Sequence, residues 1–268
     1  MLIFGEKINT VNKKVDKALA SRDGEFFKNL TELQINSGIV DVIDVNVGSD
    51  SSVEPDNMKW AVAIVEGVTG GKIPLAIDSS SPKTIIEGIT SLKHKDNSYI
   101  NSITLEESKY KDLLPLAKKY NLNIIGLPIE GGKIPETIDE RVKFSIKLAK
   151  LVSDYGIDLS RLYIDCLIGP ISISQENAIL SLDTVRSIKT HIPEVKTIIC
   201  LTAVSFGLPR RKLINSNFLT LLLKEKIDAI ILDPLDDKLL ENLYASRLLT
   251  GEDEHCIQYI KYIKGLEK

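Results

Sequence analysis

Ile73-Pro74-Leu75-Ala76-Ile77-Asp78-Ser79-Ser80-Ser81-Pro82-Lys83-Thr84-Ile85-Ile86 contains the unit from which the rest of the chain is built. A short apolar run ends in an acid, and a serine and a proline follow. Ser81 is placed to cap a helix, with Pro82 at the first helical position, where its missing N–H costs nothing. The stretch therefore predicts a strand over Ile73–Asp78 that turns at once into a helix.

The same alternation recurs on both sides. Besides Ile73–Asp78, β-branched or apolar runs occur at Leu2–Ile8, Val42–Val47, Tyr99–Ile103, Asn123–Leu127, Leu162–Leu167, Thr197–Thr202 and Ala229–Asp233. Near-continuous apolar runs of this length suit parallel strands covered on both faces. Between them lie amphipathic stretches, among them Glu25–Ser37, Met58–Val68, Glu106–Tyr120, Glu140–Tyr155, Gln175–His191 and Lys212–Lys226. Glu54-Pro55-Asp56 and Thr137-Ile138-Asp139-Glu140 read as helix entries, and Gly38 and Gly156 as left-handed helix ends. A last amphipathic stretch, Asp253–Lys264, covers either the barrel floor or a dimer face. Eight such units with no long linker predict one closed (β/α)8 barrel, a TIM barrel forming a single domain over residues 1–268. No Gly-x-Gly-x-x-Gly follows the first strand, so a dinucleotide-binding doubly wound sheet lacks its signature. The loop from Pro128 to Pro135, with Gly131 and Gly132, is the least structured and suits a mobile flap over the site.

Composition agrees with this class. The 268 residues are 43% hydrophobic, enough for a large core, and the formal net charge is −3. Low net charge without a basic arm argues against nucleic acid as the main partner. No apolar run approaches the roughly 18 residues that read as a membrane span. Met1–Asn9 lacks the basic start and small-residue cleavage pattern of a signal peptide. Cys166, Cys200 and Cys256 have no CxxC spacing and fit a reducing cytoplasm, as core thiols rather than disulfide or zinc ligands.

In a barrel of this kind the chemistry sits at the carboxyl ends of the strands. Those ends carry Glu6, Lys7 and Asn9, then Asp44 and Asn46 two apart on one face, then Asp78, Asn101, Ser102, Asp165, Thr202, Ser205 and Asp233. No histidine is among them; His94, His191 and His255 fall on the outside, which disfavours Ser–His catalysis and an imidazole-bound metal. The sixth strand offers Asp165 where a Schiff-base aldolase wants lysine, leaving only Lys7. Asn101 and Pro128 on the fourth and fifth strands weaken an octahedral magnesium site. Carboxylates mixed with amides suit a flat heterocycle with several N–H donors, such as the aminopyrimidinone edge of a pterin. Bland roles stand beside this one: Asp78 as a helix cap, Asp44 and Asn46 as braces, Asp233 before Pro234 as a turn former. Arg210-Arg211-Lys212 follows the seventh strand and suits phosphate, carboxylates or an acidic partner, or is simply a solvated helix start.

Gly5-Glu6-Lys7-Ile8-Asn9, Asp44-Val45-Asn46-Val47-Gly48, Ile77-Asp78-Ser79, Ile100-Asn101-Ser102, Ile125-Gly126-Leu127, Tyr163-Ile164-Asp165 and Val204-Ser205-Phe206-Gly207-Leu208-Pro209 occur in this order. Together, from residue 2 to about residue 250, they resemble the methyltetrahydrofolate:corrinoid protein methyltransferases, which include the folate domain of cobalamin-dependent methionine synthase. The resemblance implies a pterin-binding barrel, usually a homodimer without its own metal. Its activity is methyl transfer between N5 of tetrahydrofolate and the cobalt of a separate corrinoid protein. It implies that Asp78, Asn101 and Asp165 hold the pterin; beside them we assign Asp44 and Asn46 to the binding site, and Arg211 to the folate tail or the partner. The sequence departs from the family after the seventh strand, where Cys200-Leu201-Thr202-Ala203-Val204-Ser205 stands for the usual Gly-Leu-Ser-Asn-x-Ser. Ala203 matches the asparagine that contacts N5, which leaves Thr202 and Ser205 as substitutes. A non-catalytic folate-binding module and a dihydropteroate synthase-like enzyme are the alternatives; the latter family ends its last strand in Arg-x-His, where this chain has Leu232-Asp233-Pro234-Leu235.

Overall fold

Alternation along the strands builds two separate cores. Phe4, Val42, Ala76, Tyr99, Tyr163 and Ile198 pack on one another inside the barrel. Residues one position away, such as Ile3, Ile43, Ile77, Ile100 and Ile199, pack outward against the helices. This is the two-residue period of a strand wrapped into a cylinder.

The computed structural model describes residues 1–48 and 50–266. Ser49 and residues 267–268, which the sequence assigns to the same unit, lie outside the described residues. The strands are β1 (Leu2–Asn9), β2 (Val42–Asn46), β3 (Leu75–Asp78), β4 (Tyr99–Ile103), β5 (Asn123–Gly126), β6 (Leu162–Asp165), β7 (Lys196–Cys200) and β8 (Ala229–Leu232). All neighbours pair in parallel, and β1 pairs β8, so the barrel closes in sequence order. The helices are α1 (Lys13–Ala20), α2 (Gly24–Asn36), α3 (Glu54–Thr69), α4 (Pro82–Ser91), α5 (Glu107–Tyr110), α6 (Leu113–Tyr120), α7 (Ile138–Asp154), α8 (Asn177–His191), α9 (Arg211–Lys224), α10 (Asp237–Thr250) and α11 (Ile257–Leu266). None is long and apolar enough to cross a membrane.

The helix-start signals act as expected. Ser81 accepts from the Thr84 amide and Thr137 from the Glu140 amide, while Gly38 and Gly156 adopt φ of +73° and +71°. Differences lie at element ends. Glu106–Tyr120 is not one helix but α5 and α6: Pro115, third in α6, would press its ring on the Lys111 carbonyl if the helix ran through. The seventh strand stops at Cys200, and Leu201–Ser205 form a 3₁₀ turn, so Thr202 stands beyond the strand. Asp233 likewise follows β8. The final helix does not cover the barrel floor; it lies against α10, with Tyr262 stacked on Tyr244 at 4.2 Å. The Gly131–Gly132 loop is a tight hairpin, with Lys147 bound to Glu130, Lys133 bound to Glu140, and the Gly132 amide on Glu106.

The interior cluster closes the barrel below its mouth. Phe4 meets Tyr99 edge-on at 4.8 Å, and the hydroxyls of Tyr99 and Tyr163 approach to 3.4 Å. Outside, Gly88 lets α4 lie close on β3: a Cβ there would stand 2.6 Å from Ile77 Cγ2 and 2.9 Å from Met58 Cγ. Alanine in a helix is worth about 1 kcal/mol over glycine, but overpacking costs about 1–3 kcal/mol. Gly88→Ala is therefore expected to lower the urea midpoint despite its better helix propensity; a raised midpoint would show that this contact yields.

Candidate active site

Register places the polar strand ends side by side. Asn46 pairs with Asp78 and Asp78 with Asn101, so three polar residues form a row across β2, β3 and β4. Asp44 lies two residues before Asn46, on the same face, one step deeper. These groups satisfy one another. Asn46 Nδ2 donates to Asp78 Oδ2 at 2.8 Å, and Asn101 Nδ2 to Asp44 Oδ1 at 3.1 Å. The Gly48 amide donates to Asn46 Oδ1 at 3.0 Å, which fixes the direction in which that side-chain amide points. Asp44 and Asn101 are buried.

Asp165 stands across the mouth on β6. Its Oδ1 accepts from the Leu167 amide at 2.7 Å, and this turn holds Leu167 at φ +51°, a left-handed conformation uncommon for leucine. Arg141 supports the same turn from α7, donating through Nη1 to the Cys166 carbonyl at 2.9 Å and through Nε to the Pro135 carbonyl. Sequence reasoning did not select Arg141. The available signal was a cation on the buried stripe of α7, in phase with Ser145, Leu148 and Val152.

A second group forms on the β1–β7–β8 side. Thr202 Oγ1 donates to Glu6 Oε2 at 3.1 Å. Arg211 binds the Thr202 carbonyl through Nη2 at 2.6 Å and Ser205 Oγ through Nε at 3.1 Å. Ser205, expected to face a ligand, is fully buried and braces the turn against Arg211. Lys7 Nζ is 2.8 Å from Asp233 Oδ2, which engages the one strand-end lysine in an ion pair and gives Asp233 more than a turn-forming role. A cavity of about 540 Å³ opens here, with Glu6, Lys7, Cys200, Thr202, Ala203 and Arg211 in its wall. Asn215 on α9 also lines it, buried and with no partner for Oδ1; a polar residue inside a helix gave no sequence signal of this. Asp44, Asn46, Asp78, Asn101 and Asp165 are not in that wall, so the mouth holds a carboxylate–amide row and an open cavity as neighbours. Glu6 joins them, since it repels Asp44 and accepts from Thr202.

Burial dominates the electrostatics. It raises Asp78 to about 6, partly opposed by the bond from Asn46, and Asp165 to about 6, opposed by the Leu167 amide and Arg141. Asp44 is pushed well up by burial and by the Asp78 charge. Glu6 is raised by burial against the lowering bond from Thr202. Burial also drives up the Cys166 and Cys200 thiols, so neither is primed as a thiolate. Among the described residues no group of three or more histidines, cysteines and acids is placed to hold a metal ion, and the side chains of His94 and His255 are 61% and 80% exposed.

The closed barrel thus gathers buried acids and amides at its carboxyl mouth. The chain belongs to the family of pterin binding enzymes, whose pattern it matches over residues 7–233. It is similar to a methylcorrinoid:tetrahydrofolate methyltransferase of Eubacterium limosum, 28% identical over 97% of this chain and 95% of that one. It is also similar to methionine synthase of Mycobacterium leprae (strain TN), 26% identical over 82% of this chain but only 19% of that longer protein. Among solved structures, dihydropteroate synthase of Yersinia pestis with a sulfonamide drug superposes with a TM-score of 0.68, at 13% identity over 94% of both chains. That of Xanthomonas albilineans with 7,8-dihydropteroate gives 0.66, at 13% identity over 92% of both. These two show the shared fold.

The raised Asp165 has a stability consequence. Its folded value near 6 exceeds the usual 3.8, so the stability it contributes is present at low pH and is lost as pH rises through about 6. Asp165→Asn keeps an acceptor for the Leu167 amide and removes the buried charge. In urea unfolding the variant is expected to be more stable than the parent at pH 8, by at most about 3 kcal/mol, and equally stable at pH 4. A uniform offset at both pH values would contradict the assignment.

Proposed function

We propose that this protein moves a methyl group between the cobalt of a corrinoid protein and N5 of tetrahydrofolate. The observation that carries the reading is the Asn46–Asp78 and Asn101–Asp44 pairs in one row, with Asp165 opposite. Each acid can exchange its amide partner for N–H groups of a pterin, and each amide can turn to a ring acceptor. The end-to-end similarity to a methylcorrinoid:tetrahydrofolate methyltransferase supports the same reading.

The chemistry asks little covalent participation of the protein. Toward folate, the N5 lone pair attacks the methyl carbon, the cobalt–carbon electrons stay on cobalt, and the N5 proton departs. In reverse, N5 must be protonated or strongly hydrogen-bonded as the methyl leaves. Asp78, Asn101 and Asp165 orient the ring; the buried floor excludes water from below. Thr202 stands at the cavity wall next to the substituted position Ala203, with its hydroxyl on Glu6. Ser205 acts through Arg211 by holding that turn. The functional form is a cytoplasmic homodimer in this reading, with exposed Ile257 and Ile260 on α11 as apolar contacts for it.

The test mixes the protein with tetrahydrofolate and a methylated corrinoid protein and follows loss of methyl-cobalt absorbance together with 5-methyltetrahydrofolate formation. Transfer is expected, and Asp78→Ala should weaken tetrahydrofolate binding by at least about 10-fold through lost charge-assisted bonds. Binding without transfer would leave a folate-binding module, the reading that Ala203 favours.

Ala203→Asn separates these two. A donor aimed at developing charge is worth roughly 10²–10³ in rate, so a weakened enzyme should gain turnover when the amide is introduced. No turnover in either form, with tetrahydrofolate still bound, would favour the module.

A further inference from the structure

Most polar side chains in the wall of the 540 Å³ cavity are already engaged. Thr202 donates to Glu6, and Lys7 pairs with Asp233. Arg211 is tied to the turn after β7 by two of its nitrogens, and Lys212 pairs with Asp236 at 3.1 Å. Asn9 and Asn12 each accept a backbone N–H through Oδ1, from Val11 and Lys14. Ala203 offers the wall only a methyl group.

Asn215 is the exception. It stands on α9, which packs against the Leu201–Ser205 turn, so Asn215 and Ala203 share one wall. It is only 6% exposed, yet among the described residues its carboxamide has no hydrogen-bond partner at either end, and Oδ1 is buried. Asn217, two positions on, shows the local bond that this helix allows: its Nδ2 donates to the Leu213 carbonyl at 2.7 Å. Asn215 makes no such bond. Asparagine is a poor helix former, and a buried polar group without a partner costs more still. At the wall of a cavity, such a group asks for a ligand. The two ends of a carboxamide are nearly the same size, and no bond in the protein holds this one in a single direction, so it can turn either a donor or an acceptor to the cavity.

We infer that the Asn215 carboxamide hydrogen-bonds N5 of the bound pterin, which makes Asn215 a catalytic residue of the transfer. The inference rests on the pterin assignment of the mouth. A pterin held by its aminopyrimidinone edge against Asp78 and Asn101 sends its second ring, which carries N5, away from that row and toward the open cavity. In tetrahydrofolate N5 bears one hydrogen and one lone pair. Toward folate, the lone pair forms the bond to the methyl carbon, the cobalt–carbon pair stays on cobalt, and the positive charge on N5 is spread through an N5–H bond to Oδ1 until the proton passes to water. In reverse, Nδ2 donates to N5 as the methyl leaves. One amide serves both directions because nothing else fixes it.

Calorimetry with tetrahydrofolate and its 5-deaza analogue, in which a methylene replaces N5–H, tests the contact without requiring turnover. The parent is expected to bind tetrahydrofolate about 5-fold tighter than the analogue, the worth of one hydrogen bond. Asn215→Ala should abolish that preference and leave the analogue's affinity unchanged. It should not lower the urea midpoint, since it removes a buried oxygen that has no partner. Equal binding of both ligands by the parent, or a preference that survives the substitution, overturns the inference alone. A lowered midpoint with both affinities reduced would make the amide a brace and overturn it too. Failure of both ligands to bind the parent overturns it together with the pterin reading.

Discussion

The mouth depends on the register between β2, β3 and β4. Asn46, Asp78 and Asn101 are paired across the sheet, and a slip of one residue in any strand would turn its polar end outward into the helix layer. The same slip would bring a polar group among the outward residues Ile43, Ile77 and Ile100, all fully buried. Register is therefore held by the outer core as firmly as by hydrogen bonds. Placing acids at the inner end of such strands costs stability, visible in the raised Asp44, Asp78 and Asp165. The amides of Asn46 and Asn101 offset part of it until a ligand replaces them.

The barrel was legible because its signals are local and repeated. The apolar run, the polar end and the Ser81-Pro82 start of one unit reappear with variations along the chain, and parallel strands covered on both faces write themselves as apolar runs. Ends were harder. Pro115 breaks a periodic stretch, and Thr197–Thr202 reads as one strand although the chain turns after Cys200 toward α9. The row of Asp44, Asn46, Asp78 and Asn101 followed from the two-residue period plus the rule that chemistry sits at the carboxyl ends. Arg141, Asn215 and the burial of Ser205 did not follow, since each depends on helices folding back over the mouth.

The two halves of the mouth differ in what they ask of a ligand. The β2–β4 row is already paired, so a ligand must match its donors and acceptors to displace existing bonds. The β1–β7–β8 side is open, and its Asn215 has an unmatched oxygen. Such a division lets recognition of a flat ring and accommodation of a reacting partner be tuned separately. Ala203 sits on the open side, where substitution leaves the row untouched.

The aromatic plug below the mouth also dictates traffic. Phe4, Tyr99 and Tyr163 leave the barrel no rear exit. Under the proposed transfer, a folate and a protein-borne corrinoid would share that one doorway, so the folate would enter before its larger partner docks and leave only after that partner undocks.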